Sequence, residues 1–198
     1  MHRRDYYYLK AKEEKYRSRA AYKLLQTIRK YHFMKTKDIV VDLGAAPGGW
    51  LQVASKTVGG QGIVLGIDLK HIEPLAESNV CTIVSDITKP EIISQIQEIL
   101  SHEADVVTSD VSQNLSGVWE LDHARQIDLA RQSLQIALAV LRVGGNFFVK
   151  TFQGDMTEDF VSEIKRYFNR MEIVKPKASR MRSAEIYILG LRLKAKLS

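Results

Sequence analysis

The chain carries a single cysteine among 198 residues, so no internal disulfide can form. Cys81 lies in the apolar run V-C-T-I-V and reads as a buried, inert thiol on a strand. The five histidines, His2, His32, His71, His102 and His123, are scattered and show no metal-ligand spacing. No required metal is expected. No apolar run approaches the roughly 20 residues of a membrane helix. The segment M-H-R-R-D-Y-Y-Y has no apolar core of a signal peptide behind it. A cytoplasmic protein is the expectation. The dinucleotide fingerprint G-x-G-x-x-G is also missing, because its second glycine would fall at position 46, which is Ala46. Internal repeats and low-complexity segments are absent.

What the chain does have is apolar material for one sizeable core, 45% of its residues, in a length that fits a single domain spanning 1–198. Its net charge of +6 is unevenly spread. Residues 1–30 hold 10 Lys and Arg against 3 acids, and residues 165–198 hold 10 against 2. Residues 31–164 hold 9 against 18. Basic ends on an acidic body point to a polyanion bound across the termini.

Periodicity predicts strands over 39–43, 63–68, 80–84, 104–109, 145–151, 171–175 and 185–192. It predicts helices over 17–30, 48–57, 90–101, 122–142 and 155–168. In the first of these, Ala20, Leu24, Leu25 and Ile28 share one face. The long helix over 122–142 has Asp122 as its N-cap and Gly144 and Gly145 as its stop. Alternating strands and helices argue an α/β fold with a mostly parallel sheet covered on both faces. Ligands of such sheets bind at the carboxyl ends of the strands.

The richest of those ends is V-V-D-L-G-A-A-P-G-G-W at 40–50. An apolar strand closes on Asp42, and the turn holds Gly44, Gly48 and Gly49 before a helix begins. Such a turn lets a ligand approach the backbone, whose N–H groups point at it. Asp42 suits a cationic ligand better than a pyrophosphate. The next strand ends in Asp68, placed to accept from both hydroxyls of a ribose. A nucleoside that carries an amino acid and a positive sulfur fits this pair, which is S-adenosyl-L-methionine. Further on, Asp86 is placed to accept from an exocyclic amine, with Ile87 against a purine face. Asp110 ends the fourth strand, Lys150 follows Phe147, Phe148 and Val149, and Glu185 opens the last strand. A lysine leaving an apolar strand needs acid partners or loses its proton.

These blocks resemble the FtsJ-type RNA ribose 2′-O-methyltransferases. The likeness rests on Y-R-S-R-A-A-Y-K-L at 16–24, D-L-G-A-A-P-G-G-W at 42–50, the S-D motif at 109–110, F-V-K-T-F at 148–152 and R-S-A-E-I-Y at 182–187. It covers nearly the whole chain. It implies a Rossmann-like methyltransferase fold, with a seven-stranded, mostly parallel sheet and helices on both faces. It also implies a catalytic set of Lys23, Asp110, Lys150 and Glu185, and cofactor contacts from Gly48, Trp50, Asp68, Asp86 and Asp110. The family often has D-M-A-P-N after the fourth strand. This chain has Asp110-Val111-Ser112-Gln113-Asn114, which puts the loop shape and substrate choice in question more than the chemistry.

A ribose 2′-hydroxyl is a poor nucleophile and must lose its proton as it attacks a sulfonium methyl. An amine can accept that proton only while neutral, a form favoured by burial or by a second cation such as Lys23. Glu185 and Asp110 act in the opposite sense and orient the amine. Lys150 therefore serves as base or as aligning group, with positioning supplying much of the rate. RNA binding is expected from Arg3, Arg4, Lys10, Lys12, Lys15, Arg17 and Arg19 among Tyr6, Tyr7, Tyr8 and Tyr16, and from Lys175, Lys177, Arg180 and Arg182. The tyrosines either stack on bases or tether the segment to the core. Segment 1–30 is thus read as an RNA-binding extension. The favoured substrate is a uridine of large-subunit ribosomal RNA within the large ribosomal subunit, and the enzyme is expected to be a monomer. Transfer RNA and messenger-RNA caps are alternatives within the class, and DNA is excluded by the need for a 2′-OH. A silent RNA-binding assembly factor and a nicotinamide oxidoreductase are the alternatives outside it.

Overall fold

The fold is that of a computed structural model, which describes residues 3–180 and 183–195. In chain order the elements are α1 (Arg3–Glu13), α2 (Ala21–Tyr31), β1 (Ile39–Leu43), α3 (Gly49–Val58), β2 (Ile63–Asp68), β3 (Val80–Val84) and α4 (Ile92–Ile99). Then come β4 (Ala104–Ser109), α5 (Trp119–Val140), β5 (Leu141–Phe152), α6 (Thr157–Tyr167), β6 (Phe168–Val174) and β7 (Glu185–Leu193). The seven strands form one sheet in the order β3-β2-β1-β4-β5-β7-β6. All neighbours are parallel except β7, which runs antiparallel to both β5 and β6. The order reverses at β1, so the crevice above β1 and β4 is the switch point where ligands bind such sheets.

Alternation along the strands sorts the core into two halves. Val40, Val64, Val106, Phe148 and Leu189 face one side, where they pack with Leu24 and Ile28 of α2 and Leu51 and Ala54 of α3. Val41, Leu65, Val107, Phe147 and Ile188 face the other, against Ile96 of α4, Ile127 and Ala137 of α5 and Ile164 of α6. The strands are therefore buried on both faces, as their near-continuous apolar sequence requires. Helix α2 presents Ala21, Leu24 and Ile28 to the sheet. It ends at His32, whose φ of 51° and N–H bond to the Ile28 carbonyl close the last turn.

Several expectations are corrected. Cys81 is exposed, because β3 is the outer strand of the sheet. Helix α5 begins at Trp119, before Asp122, and its N-cap is Val118. Asp122 instead accepts hydrogen bonds from the N–H groups of Ser116 and Gly117 and from the Ser116 hydroxyl, folding the preceding loop onto the helix. The helix ends at Val140, ahead of Gly144 and Gly145. Those glycines lie inside β5, where its register against β4 jumps between Ala104 and Val106. A Cβ on Gly145 would meet the Asp105 carbonyl at 3.0 Å, so this close approach needs glycine. The basic N-terminal segment contains a further helix, α1, beyond the elements expected from periodicity. Arg182 lies outside the described residues.

Candidate active site

Four elements deliver the expected catalytic side chains to one place. The β5–β7 ladder sets Lys150 opposite Tyr187, so both side chains leave the sheet on the face that α2 covers. Asp110 follows β4, the neighbour of β5 on its other side, and its N–H bonds to the Leu43 carbonyl at the end of β1. Lys23 comes down from α2, and Glu185 stands two residues before Tyr187 on the same face of β7.

The contacts form one connected chain. Lys150 Nζ donates to the Asp110 carbonyl at 2.7 Å and lies 3.2 Å from Asp110 Oδ1. The Tyr187 hydroxyl donates to that same Oδ1 at 2.9 Å. It accepts from Lys23 Nζ at 3.1 Å. Lys23 Nζ in turn reaches both oxygens of Glu185, at 2.7 and 2.8 Å. Ser179 Oγ donates to Glu185 Oε1 at 2.9 Å. The Lys150 side chain is only 6% exposed, so its Nζ is held by protein rather than water. Burial, and then the charges of Asp110 and Glu185, push the Tyr187 hydroxyl well above the usual phenol range. Tyr187 therefore stays protonated and works as a hydrogen-bonding link.

Behind this chain lies an aromatic wall. Tyr187 stacks on Phe148 at 4.9 Å and 19°, and Phe148 stacks on Trp50 at 5.5 Å and 21°. The wall fixes the Tyr187 ring from one side while β7 fixes it from the other.

Beside the chain, above the switch point, is a cavity of about 480 Å³. That lies within the roughly 300–1,000 Å³ common for small-molecule sites. Asp68, Asp86 and Asp110 supply its carboxylates, Ile87 and Leu129 its apolar surface, and Gly44 and Ala46 its backbone turn. Gly44 has a φ of 73°, and a Cβ there would lie 2.8 Å from the Val111 Cα. No other residue fits that turn. Asp68 accepts from the N–H groups of Ala46 and Lys70, one on each oxygen. Each oxygen keeps a second lone pair for a ligand. Asp86 is held below the usual carboxylate range by the Thr88 N–H and then its hydroxyl.

Asp42, expected to suit a cationic ligand, is instead fully buried and is not part of the cavity lining. Burial first, and then the charges of Asp110 and Asp68, push its carboxyl up to about 8, against a hydrogen bond from Thr108 at 2.6 Å. Its Oδ2 has no hydrogen-bond partner.

The expected site residues fall into groups. Lys23, Asp110, Lys150 and Glu185 meet as described, and Asp68, Asp86 and Asp110 line the cavity. Gly48 and Trp50 do not line it. Gly48 makes the turn into α3 with a φ of 104°, packed against the Arg17 side chain. Trp50 is buried, and its indole N–H donates to the Ala20 carbonyl at 2.9 Å, joining α3 to the start of α2. Arg17, expected at phosphates, gives its guanidinium to the carbonyls of Pro47, Glu73 and Pro74, and so clamps the cavity's outer loops. The replaced loop after Asp110 is held by side chains. Gln113 donates to the Asp122 carbonyl, and the Val111 carbonyl accepts from Gln126. Tyr187 and Ser179 were given no role by sequence reasoning. The signal for Tyr187 was present, since it shares a strand face with Glu185. The tyrosines of the N-terminal segment divide. Tyr7 accepts from Gln26 and packs on Tyr22, as does Tyr16, whereas Tyr6 and Tyr8 are exposed.

Among the described residues no cluster of His, Cys, Asp and Glu is grouped to hold a metal ion, and no helix is long and apolar enough to cross a membrane.

Comparison with known proteins bears on this arrangement. A protein from Methanothrix thermoacetophila named ribosomal RNA large subunit methyltransferase E is 55% identical over 190 residues, 96% of this chain and 73% of that one. The protein of that name from Methanocaldococcus jannaschii is 48% identical over 197 residues, 98% and 80% of the two chains. A solved structure described as a ribosomal RNA methyltransferase from Plasmodium falciparum superposes with a TM-score of 0.79 at 29% identity, covering 90% of this chain and 98% of that one. A SAM-dependent O-methyltransferase from Thermotoga maritima shares the fold, with a TM-score of 0.60 at 15% identity over 89% of this chain and 66% of that one. The model of the FtsJ-like methyltransferases matches residues 16–193, and with the relatives above it establishes that this chain belongs to the FtsJ-like methyltransferase family.

Proposed function

We propose that the chain is an S-adenosyl-L-methionine-dependent ribose 2′-O-methyltransferase acting on large-subunit ribosomal RNA. The observation that carries this reading is the buried chain Lys150–Asp110–Tyr187–Lys23–Glu185 at the rim of a cavity lined by three carboxylates. The curated relatives bear the name of a large-subunit rRNA methyltransferase, which supports the substrate.

The cavity suits the cofactor by its chemistry. Asp68 would accept from ribose hydroxyls, Asp86 from an exocyclic amine, and Asp110 would face the cationic end. Ile87 offers an apolar face to a purine. When bound, S-adenosyl-L-methionine supplies a methyl group on a positive sulfur. Gly48 and Trp50 act one step back, through the turn and the packing of α3.

Lys150 is the group that meets the 2′-hydroxyl and orients it, and in its neutral amine form it takes the proton as the oxygen attacks. Asp110 holds Nζ by carbonyl and carboxylate together, so the amine points in one direction. Tyr187 passes that constraint to the Lys23–Glu185 pair. A second cation at Lys23 and a carboxylate at Glu185 bracket the far side of the substrate ribose. Such fixed positioning removes rotational freedom before reaction. RNA phosphates are taken by exposed cations. Arg29, Lys30, Lys175 and Lys177 line a groove between α2 and the segment after β6. The exposed Tyr6 and Tyr8 on α1 add flat faces for unpaired bases.

The test is Lys150→Ala. An enzyme that uses Lys150 loses methyl transfer by about 100-fold or more, the usual contribution of a proton-transfer group, and keeps its affinity for RNA and cofactor. Unchanged transfer would overturn the assignment, and absence of transfer in the wild type would leave an RNA-binding assembly factor.

A further inference from the structure

We infer that Trp119 is a stacking platform for an unpaired nucleobase of the RNA substrate, an inference that rests on the RNA methyltransferase reading. Trp119 opens α5 and is 45% exposed, unusual for an indole. Its inner side is fixed. The ring lies nearly parallel to His123, 5.5 Å away at 13°, and to Phe152, 6.2 Å away at 24°. His123 is itself buried. Its Nε2 accepts from the Met156 N–H at 3.2 Å, and a Cβ on Gly154 would meet the imidazole at 2.8 Å. The loop that leads into Trp119 is folded back by the Asp122 carboxylate on Ser116 and Gly117. The exposed part of the indole is thus presented to solvent beside two ring contacts.

Position and charge choose the occupant. Phe152 stands two residues beyond Lys150 on β5, about 7 Å at the rise of a strand, and pairs with Glu185 in the ladder. The run of lining residues that follows β4 stops at Asn114, one residue before the exposed Leu115 that begins this lip. The lip therefore borders the place where the ribose must sit. Residues 115–121, L-S-G-V-W-E-L, contain no lysine or arginine and one acid, so they offer nothing to a phosphate. They offer a flat aromatic face, with Leu115, Val118 and Leu121 exposed close by in sequence. A nucleobase needs only that face, and stacking on it tolerates any base.

The chain has two tryptophans, and the other, Trp50, is buried against Phe148. Fluorescence of the full-length protein therefore reports on Trp119 when a short unpaired ribo-oligonucleotide is added with S-adenosyl-L-methionine present. We expect quenching in the wild type and none in Trp119→Phe. Steady-state transfer to large-subunit RNA gives the second readout. Trp119→Ala should raise KM about tenfold or more with kcat little changed, while Trp119→Phe, which keeps a ring, stays within about threefold of wild type. Absence of quenching, or a Trp119→Ala enzyme with wild-type KM, overturns the platform and leaves the lip as a surface for a protein partner. If the wild type transfers no methyl group, the enzymatic reading falls, and the quenching alone decides whether Trp119 meets a base.

Discussion

The Tyr187 hydroxyl donates to Asp110 at 2.9 Å and accepts from Lys23 at 3.1 Å, joining two cation–carboxylate pairs through one phenol. Its ring is held by Phe148, so removing only the oxygen leaves the wall intact. Tyr187→Phe should fold, with a loss of about 1–2 kcal/mol because two buried polar partners lose a hydrogen bond. Its kcat should fall by about tenfold while KM for the cofactor is unchanged. Denaturant unfolding and single-turnover transfer check both. A kcat equal to wild type would mean that the two pairs act independently.

Lys23 and Glu185 are coupled in the same way. Their side chains are 10% and 16% exposed, so either partner left alone is a largely buried charge. Lys23→Ala and Glu185→Ala should each destabilise by about 1–3 kcal/mol, while the double variant costs less than their sum by about 1 kcal/mol or more. A double-mutant cycle by urea unfolding measures the difference. Strict additivity would contradict the pairing.

Gly44 and Gly60 make a contrast within one glycine-containing fold. Alanine at 44 would clash with the Val111 backbone at 2.8 Å in a left-handed conformation, whereas alanine at 60 meets nothing within 4 Å. Gly44→Ala should lower cofactor affinity at least about tenfold, because the strained turn forms the cavity wall. Gly60→Ala should bind like wild type. Isothermal titration of both variants decides it, and equal affinities would remove Gly44 from the site.

Asp42 sets a pH dependence. Its folded carboxyl is raised to about 8 from an ordinary value near 4. Between those values the folded state holds a proton that the unfolded state has released, so stability falls as pH rises from about 4 to about 8. Asp42→Asn mimics the protonated form. Its advantage over wild type should be absent near pH 4 and grow toward pH 8, by an amount on the order of a few kcal/mol at most. Thermal melts of the cofactor-free proteins at pH 4, 6 and 8 test this. A constant difference across that range would mean that Asp42 ionises normally.

The sheet was legible because strands buried on both faces write themselves as short apolar runs. The observed limits of β1, β2, β3 and β4 coincide with those expected from periodicity. Helix ends were less legible. Asp122 has the chemistry of an N-cap but spends its carboxylate on the loop before the helix, and Gly144 serves a register jump rather than a stop. Cys81 misled because an apolar run does not say whether its strand is inner or outer. Asp110, Lys150 and Glu185 were readable as strand-end polar groups, whereas Lys23, on a helix, was reached only by resemblance. Tyr187 was hidden by its own hydrophobicity, since a tyrosine on a strand reads as core until its hydroxyl partners are placed. Arg17 reads as a phosphate ligand in sequence, and only the tertiary fold brings three carbonyls to it.

The central claim is that the methyl group goes to a ribose oxygen of large-subunit RNA. A 2′-O-methyl group removes the nucleophile that alkali uses to cut the adjacent phosphodiester. Large-subunit RNA should therefore be incubated with the protein and methyl-labelled S-adenosyl-L-methionine, with transfer RNA in parallel, and then hydrolysed in alkali. The account predicts label in an alkali-resistant dinucleotide from the large-subunit RNA. Label in mononucleotides would place the methyl on a base, and label from transfer RNA alone would replace the substrate; either result contradicts the account.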